Sequence, residues 1–208
     1  MKNIRFIALF LITSFYFITV SAQYTAMIGG KNEKGQITDY TPLYFATKKG
    51  LFQSGYYLQF QKTVDTLYVY ASYAAWSLTE LNSGDISSIV FLFRDGSELT
   101  LPATENFKKE STPVIAGGIT GSWTNYPVRS KISQEQIDIF SKKSLISIAI
   151  NFKRVGEFDA FVPEEKSIYI AMNVEYFLSR KVVSKKDIVD RFNKTETNKI
   201  YNDEKWDF

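Results

Sequence analysis

Hydrophobic and polar positions alternate through much of the middle of the chain. The runs GYYLQFQKT and TLYVYASYAAW are rich in aromatic and β-branched residues and are parted by a short polar break at Val64-Asp65. They predict a hairpin of strands at 55–63 and 66–76. In ISSIVFLFRDGSELTLPA, Asp95-Gly96 suits the two positive-φ positions of a type I′ turn. That turn would pair Arg94 with Ser97, Leu92 with Leu99 and Val90 with Leu101. Both faces of the first strand are apolar, which predicts a central strand covered on both sides. Further upstream, Gly29-Gly30 and Lys34-Gly35 mark turns and Thr41-Pro42 an extended dipeptide, framing short strands near 24–28 and 36–46. Ser77 and Glu80 fit a capping box and Gly84 a C-terminal stop, for one helical turn. The stretch VIAGGITGSWTNYPVRSKIS predicts strands near 113–120 and 126–132, its glycines suggesting a bulge or bend.

The period changes in ISQEQIDIFSKKSLISIAINF. Ser133 is an N-cap, Gln136 its capping-box partner, and Ile132 with Ile137 a hydrophobic staple. Lys142 and Lys143 suit the negative end of the helix dipole. A helix is therefore predicted at about 134–142. Alternation then resumes: Ile146, Ile148, Ile150 and Phe152 share one face of a strand at about 145–153. The run 164–179 has strand-like Ile and Tyr content, but its length and its Pro163-Glu164-Glu165 start favour a helix. Val183 with Ile188 and Ser184 with Asp187 repeat the staple and box, predicting a helix at 184–193. The polar residues 194–208 read as a frayed tail.

The ends set the compartment. MKNIRFIALFLITSFYFITVSAQ carries Lys2 and Arg5, then an apolar run to Val20, then the small residues Val20-Ser21-Ala22. This is the layout of a secretory signal peptide, residues 1–22, cleaved between Ala22 and Gln23. The apolar run is shorter than the roughly 20 residues a spanning helix needs, so no stable transmembrane helix is expected after cleavage. The mature chain is then 186 residues with 23 basic and 22 acidic side chains, a net charge of +1. It suits a single domain at 23–193 plus the tail. A charge so close to balance argues against nucleic acid as a partner. An exported chain without cysteine fits a bacterial periplasm or outer surface, its stability resting on a core instead of disulfides.

With no histidine and no cysteine, the chain cannot build a Ser-His-Asp triad, a Cys-His dyad or a His- or Cys-ligated zinc or haem site. Carboxylate chemistry, Ser-Lys pairs, tyrosine and oxygen-ligated metals remain. Glu157 and Asp159 in GEFDAF share a strand face, and two carboxyls about 5–9.5 Å apart are what a glycosidase requires. They are the candidate catalytic residues, although isolated pairs of this kind are usually solvated. Tyr68, Tyr70 and Trp76 alternate along one face of the 66–76 strand and form the candidate ligand-binding stripe, offering flat apolar area with polar tips to a sugar ring. The competing reading makes them sheet packing. Asn32, Glu33 and Asp39 surround a glycine but lack the ligand alternation of an EF-hand, so no metal or cofactor is expected. Asn193-Lys194-Thr195 is a formal glycosylation sequon. Asp65-Thr66-Leu67 resembles the O-glycosylation motif of exported Bacteroidetes proteins. The terminal Trp206-Asp207-Phe208 resembles the closing strand of an outer-membrane barrel, yet Glu204 and Asn202 fall on what would be its lipid face.

The signal ending in Ser-Ala-Gln, the β-rich body and the Ser-capped helix feeding an apolar strand together resemble exported proteins of the Bacteroidetes type. That resemblance carries no catalytic motif and so implies no activity. The expected fold is α+β: a mainly antiparallel sheet, curved or barrel-like, with helices on one face and at the C-terminus. The expected function is a non-enzymatic exported protein that binds a ligand, such as a glycan, or a cell-envelope partner. A carboxylate-dependent glycan hydrolase and a small outer-membrane β-barrel are the alternatives.

Overall fold

The structure, a computed structural model, describes residues 30–31, 37–41, 44–47, 54–76, 81–116 and 119–196. The expected signal segment, the strand at 24–28, the Ser77/Glu80 box and Trp206-Asp207-Phe208 lie outside the described residues. The strands are β1 (Gly30–Lys31), β2 (Ile37–Tyr40), β3 (Tyr44–Phe45), β4 (Gly55–Lys62), β5 (Leu67–Trp76), β6 (Ile86–Phe93), β7 (Glu98–Pro102), β8 (Glu105–Asn106), β9 (Glu110–Ala116), β10 (Ile119–Ile132), β11 (Leu145–Phe152) and β12 (Gly156–Phe161). The helices are α1 (Gln134–Lys142), α2 (Glu164–Ser179) and α3 (Lys185–Glu196). The architecture is α+β, as its alternation of periods predicts. No helix among the described residues is long and apolar enough to cross a membrane.

One expected sheet is in fact two. An eight-stranded sheet runs β1-β2-β4-β5-β10-β8, with β3 beside β4 and β9 beside β10. A four-stranded sheet runs β12-β11-β6-β7. Among the described residues every pairing is antiparallel, and neither sheet closes into a barrel. The reason is burial. Tyr56, Leu58 and Phe60 of β4, Val69 and Tyr73 of β5 and Val128 of β10 need an apolar cover. Ile89, Phe91 and Phe93 of β6 and Ile148, Ile150 and Phe152 of β11 supply it, in one continuous core. The helices complete it. Phe140 of α1 inserts between Phe60 of one sheet and Phe91 and Phe93 of the other. Ile170, Val174 and Phe177 of α2 join the same core. Ile188 and Phe192 of α3 pack with Ile168 and Ala171 of α2 in a smaller cluster.

Both helix starts form as their sequences dictate. Ser133 Oγ accepts from the Gln136 amide at 3.1 Å while Gln136 Oε1 accepts from the Ser133 amide at 2.9 Å. Ser184 and Asp187 repeat the exchange at 3.1 Å in each direction. Ser133→Ala should therefore cost about 1 kcal/mol of unfolding free energy, readable by urea denaturation. A cost near zero would mean that the cap is redundant. The helix over 164–179 forms in full, and α3 runs past the expected end at 193 to Glu196. Gly84 is not a helix stop. It lies inside a 3-10 turn, Ser83–Asp85, where its amide donates to the Asn82 side chain.

The turn at Asp95-Gly96 departs from the type I′ geometry expected of it. Gly96 has φ 76° but Asp95 is not left-handed. The loop holds three residues, closed by Phe93 N–H to Ser97 O at 3.0 Å and Gly96 N–H to Phe93 O at 2.9 Å. The register moves by one, pairing Phe91 with Leu99 and Ile89 with Leu101. A one-residue slip exchanges the two faces of a strand. Here it places Leu99 and Leu101 beside Ile89, Phe91 and Phe93, so all five are buried together. It also turns the Asp95 carboxylate toward Lys143 Nζ at 2.8 Å and the Ser97 amide at 2.9 Å. Partial burial alone would raise the Asp95 pKa. The hydrogen bonds from Lys143 and Ser97 outweigh it and hold the group at about 2. Since the folded value lies below an unfolded value of about 3.9, the stabilisation is complete above that pH and lost as pH falls toward 2. Asp95→Asn should be less stable than the parent by about 2 kcal/mol at neutral pH, and the gap should close on acidification toward pH 2. A gap that persisted at low pH would show that charge is not its source.

β10 is a single 14-residue strand, longer than the expected 126–132. Its Pro127 sits opposite Ser72 of β5. Proline lacks the amide a central strand normally uses on both edges. Pro127 O accepts from the Phe107 amide at 3.1 Å, so the missing N–H faces the interval between β8 and β9, where the ladder is interrupted anyway.

Candidate functional site

Strand parity sorts the large sheet into an inner and an outer face. On β5 the odd positions Val69, Ala71 and Tyr73 point into the core, so Tyr68, Tyr70, Ser72, Ala74 and Trp76 point outward. The register brings partners from both neighbours onto this outer face. Tyr57 lies opposite Ser72 and Gln59 opposite Tyr70 on β4. On β10, Trp123 lies opposite Trp76, Asn125 opposite Ala74, Arg129 opposite Tyr70 and Lys131 opposite Tyr68. The three aromatic residues expected to form a stripe do share a face. They are joined there by Tyr57, Trp123 and the ring of Phe107, whose centroid is 6.0 Å from that of Tyr70.

Arg129 is held at one end of this face. Its guanidinium carbon stands 4.5 Å from the Tyr68 ring centroid and 5.6 Å from that of Phe107. Its terminal nitrogen pairs with Glu105 of β8. A planar cation stacked on rings and neutralised by a carboxylate makes a flat extension of the aromatic surface. Burial, and then the charge of Glu110, raises the Tyr70 phenol above its ordinary pKa, with the Ser72 hydroxyl opposing. Tyr70 therefore stays a neutral hydroxyl at physiological pH.

At the other end, Trp76 lies across Gly121. A β-carbon on Gly121 would come within 2.1 Å of Trp76 Cζ2. Glycine here makes room for a ring; it does not mark the bend that the sequence suggests. Gly121→Ala should displace the indole, lower stability by about 1–3 kcal/mol and shift tryptophan emission to the red. An unchanged emission spectrum would mean that the ring is seated elsewhere.

The middle of the face is sealed from solvent. Ser72, Ala74 and Pro127 are all buried. Ser72 Oγ comes near the Tyr70 phenol but has no partner in hydrogen-bond geometry, and neither do the buried Asn125 Oδ1 and Arg129 Nε. Ser130 Oγ is also unpaired, but it points into the core. All three atoms on the outer face are sealed from solvent, so they lie beneath it and do not by themselves mark a ligand site.

The expected carboxylates stand elsewhere. Glu157 and Asp159 lie on β12, the edge strand of the smaller sheet, and both are exposed. Phe158 between them turns inward onto Tyr73 and Phe152, so the two acids face away from the core. The aromatic face is on the opposite outer surface of the molecule. The cleft that a glycan hydrolase would require from these residues is therefore not formed. Of the calcium candidates, Asn32 and Glu33 lie outside the described residues and Asp39 pairs with Arg180 at 2.9 Å. Among the described residues no group of three or more acidic side chains is placed to hold a metal ion. A hollow of about 430 Å³ opens between the β4–β5 turn and the start of α1, bounded by Asp65, Thr66, Lys131 and Gln134. It contains one carboxylate and no aromatic ring.

No protein-family model, curated protein or solved structure matches this chain.

Proposed function

We propose that the chain is an exported, non-enzymatic binding protein of a bacterial envelope, and that the outer aromatic face of the large sheet is its binding surface. The observation that carries this reading is the gathering of Tyr68, Tyr70, Trp76 and Trp123 with Arg129 from two adjacent strands onto one outward face. Aromatic residues and arginine are the side chains that dominate binding energy where they cluster. These aromatic side chains are half-buried, so part of each ring remains at the surface. The signal-like N-terminus supports export, and the hydrolase alternative loses its support because Glu157 and Asp159 stand on the far side.

The chain has three tryptophans, and two of them, Trp76 and Trp123, lie on this face. Their emission is a direct reporter. The mature chain should be recovered from the periplasmic or extracellular fraction. Its emission should respond to at least one purified envelope component, glycan or protein, and Tyr70→Ala should abolish the response without unfolding the chain. Cytoplasmic recovery, or an emission indifferent to every envelope component, would overturn the reading.

A further inference from the structure

We infer that the free edge of the smaller sheet, β12, is a second docking site, which takes an extended basic segment of another protein as an added strand. This site lies apart from the aromatic face and does not depend on it. β12 ends the order β12-β11-β6-β7, and among the described residues no strand pairs with its outer side. Alternation decides which backbone groups are left over. The Val162 amide donates to the Ile146 carbonyl at 2.8 Å, and the Tyr56 hydroxyl bridges the Ile150 amide and the Phe158 carbonyl. Phe158, Ala160 and Val162 thus direct their main-chain groups at β11. In an antiparallel ladder the residues between them direct theirs the other way. Glu157, Asp159 and Phe161 therefore hold a row of N–H and C=O groups outward, a template for one more strand. β12 contains no proline, and its register with β11 is unbroken from Phe161 to Gly156. The opposite edge strand, β7, ends in Pro102.

Charge selects the occupant. The side chains of Glu157, Asp159 and Phe161 share one face, and all three residues are exposed. Phe161 keeps 66% of its surface in solvent. Arg154, in the adjoining turn, pairs with Asp85, and among the described residues no lysine or arginine pairs with Glu157 or Asp159. A second copy of this chain fits badly. Two antiparallel registers would use most of the strand. Centred on Asp159, self-pairing sets that carboxylate against its own counterpart; centred on Phe158, it sets Glu157 against Asp159. Like charges directly opposite are destabilising. The same two acids favour a strand with lysine or arginine at the matching alternate positions, and Phe161 favours an apolar residue opposite itself. Added antiparallel, such a segment reads apolar-x-basic-x-basic.

The test adds a short blocked peptide of valine, threonine, lysine, threonine and lysine, in that order, to the mature chain. Amide exchange is followed by NMR and affinity by calorimetry. The Glu157, Asp159 and Phe161 amides should exchange more slowly when the peptide is present. Glu157→Gln combined with Asp159→Asn should weaken binding about fivefold, the loss of two exposed ion pairs. Glu157→Lys combined with Asp159→Lys should instead prefer the same peptide with glutamate in place of lysine. A lysine peptide N-methylated at the amides that face β12 should not bind, although its charge is unchanged. Equal binding of the N-methylated peptide would show a charge contact without an added strand. Equal binding of the glutamate peptide by the parent chain would show no selection by charge. Either result overturns the proposal, as does a lysine peptide that leaves the three amides unprotected. Protection that grows with protein concentration alone would make a second copy the occupant and overturn it too. Tyr70→Ala should take the peptide as the parent does, so this edge and the aromatic face stand or fall separately.

Discussion

Phe140→Ala should lose about 3–5 kcal/mol of stability, the range for emptying a buried phenylalanine site. The side chain is 1% exposed. Its ring meets Phe60 at 5.1 Å, Phe91 at 4.9 Å and Phe93 at 5.4 Å between centroids, all three edge to face. Phe60 belongs to the large sheet and the other two to the small one, so this one residue of α1 joins three elements. Such ring pairs add about 0.5–1.5 kcal/mol each beyond burial, which places the expected loss toward the upper end. Chemical denaturation reads it directly. Phe140→Leu should recover more than half of the deficit because most of the volume returns. A loss below about 1 kcal/mol for the alanine variant would show that α1 merely rests on the sandwich.

The second large effect is expected at Tyr56, which is fully buried. Its hydroxyl accepts from the Ile150 amide at 3.0 Å and donates to the Phe158 carbonyl. Ile150 and Phe158 face each other across the β11/β12 ladder. A tyrosine of the large sheet therefore bonds to both strands of the small one. Burial pushes its phenol well above the ordinary value, against the opposing Ile150 amide, so the proton that reaches Phe158 is retained. Tyr56→Phe keeps the ring and leaves a buried N–H and C=O without this partner, at a cost of about 1–3 kcal/mol. Exchange of the Ile150 amide with solvent deuterium should quicken. If β11 and β12 closed directly over the gap, the cost would fall below about 0.5 kcal/mol and exchange would not change. That outcome would falsify the bridging role.

Both residues show why the core was only partly legible. Phe140 reads from its helix as an apolar position and Tyr56 from its strand as an aromatic one. Neither sequence context names the partner, because Phe60 is 80 positions from Phe140 and Phe158 is 102 from Tyr56. The candidate site divides in the same way. Tyr68, Tyr70 and Trp76 share a face by strand period alone. Trp123, Asn125 and Arg129 share it only because β10 pairs with β5. The signal present in the sequence is that these three positions also alternate, but the glycines upstream suggest a bulge or bend and so shorten the strand that alternation alone would predict. Glu157 and Asp159 were correctly placed together on one strand face. Which side of the molecule that face occupies was not a local property.

By itself the sequence determined the helix starts at Ser133 and Ser184, the strand periods, the α+β class and the absence of histidine and cysteine chemistry. These depend on groups within four residues of each other or on composition, so no distant contact can reverse them. Only the tertiary structure decided that there are two sheets, that the 86–102 hairpin slips by one residue, and that rings from β5 and β10 meet on one outer face. Each of those choices trades one long-range burial against another. The winner is the arrangement that hides the most apolar surface across the whole chain, a quantity that no single segment carries.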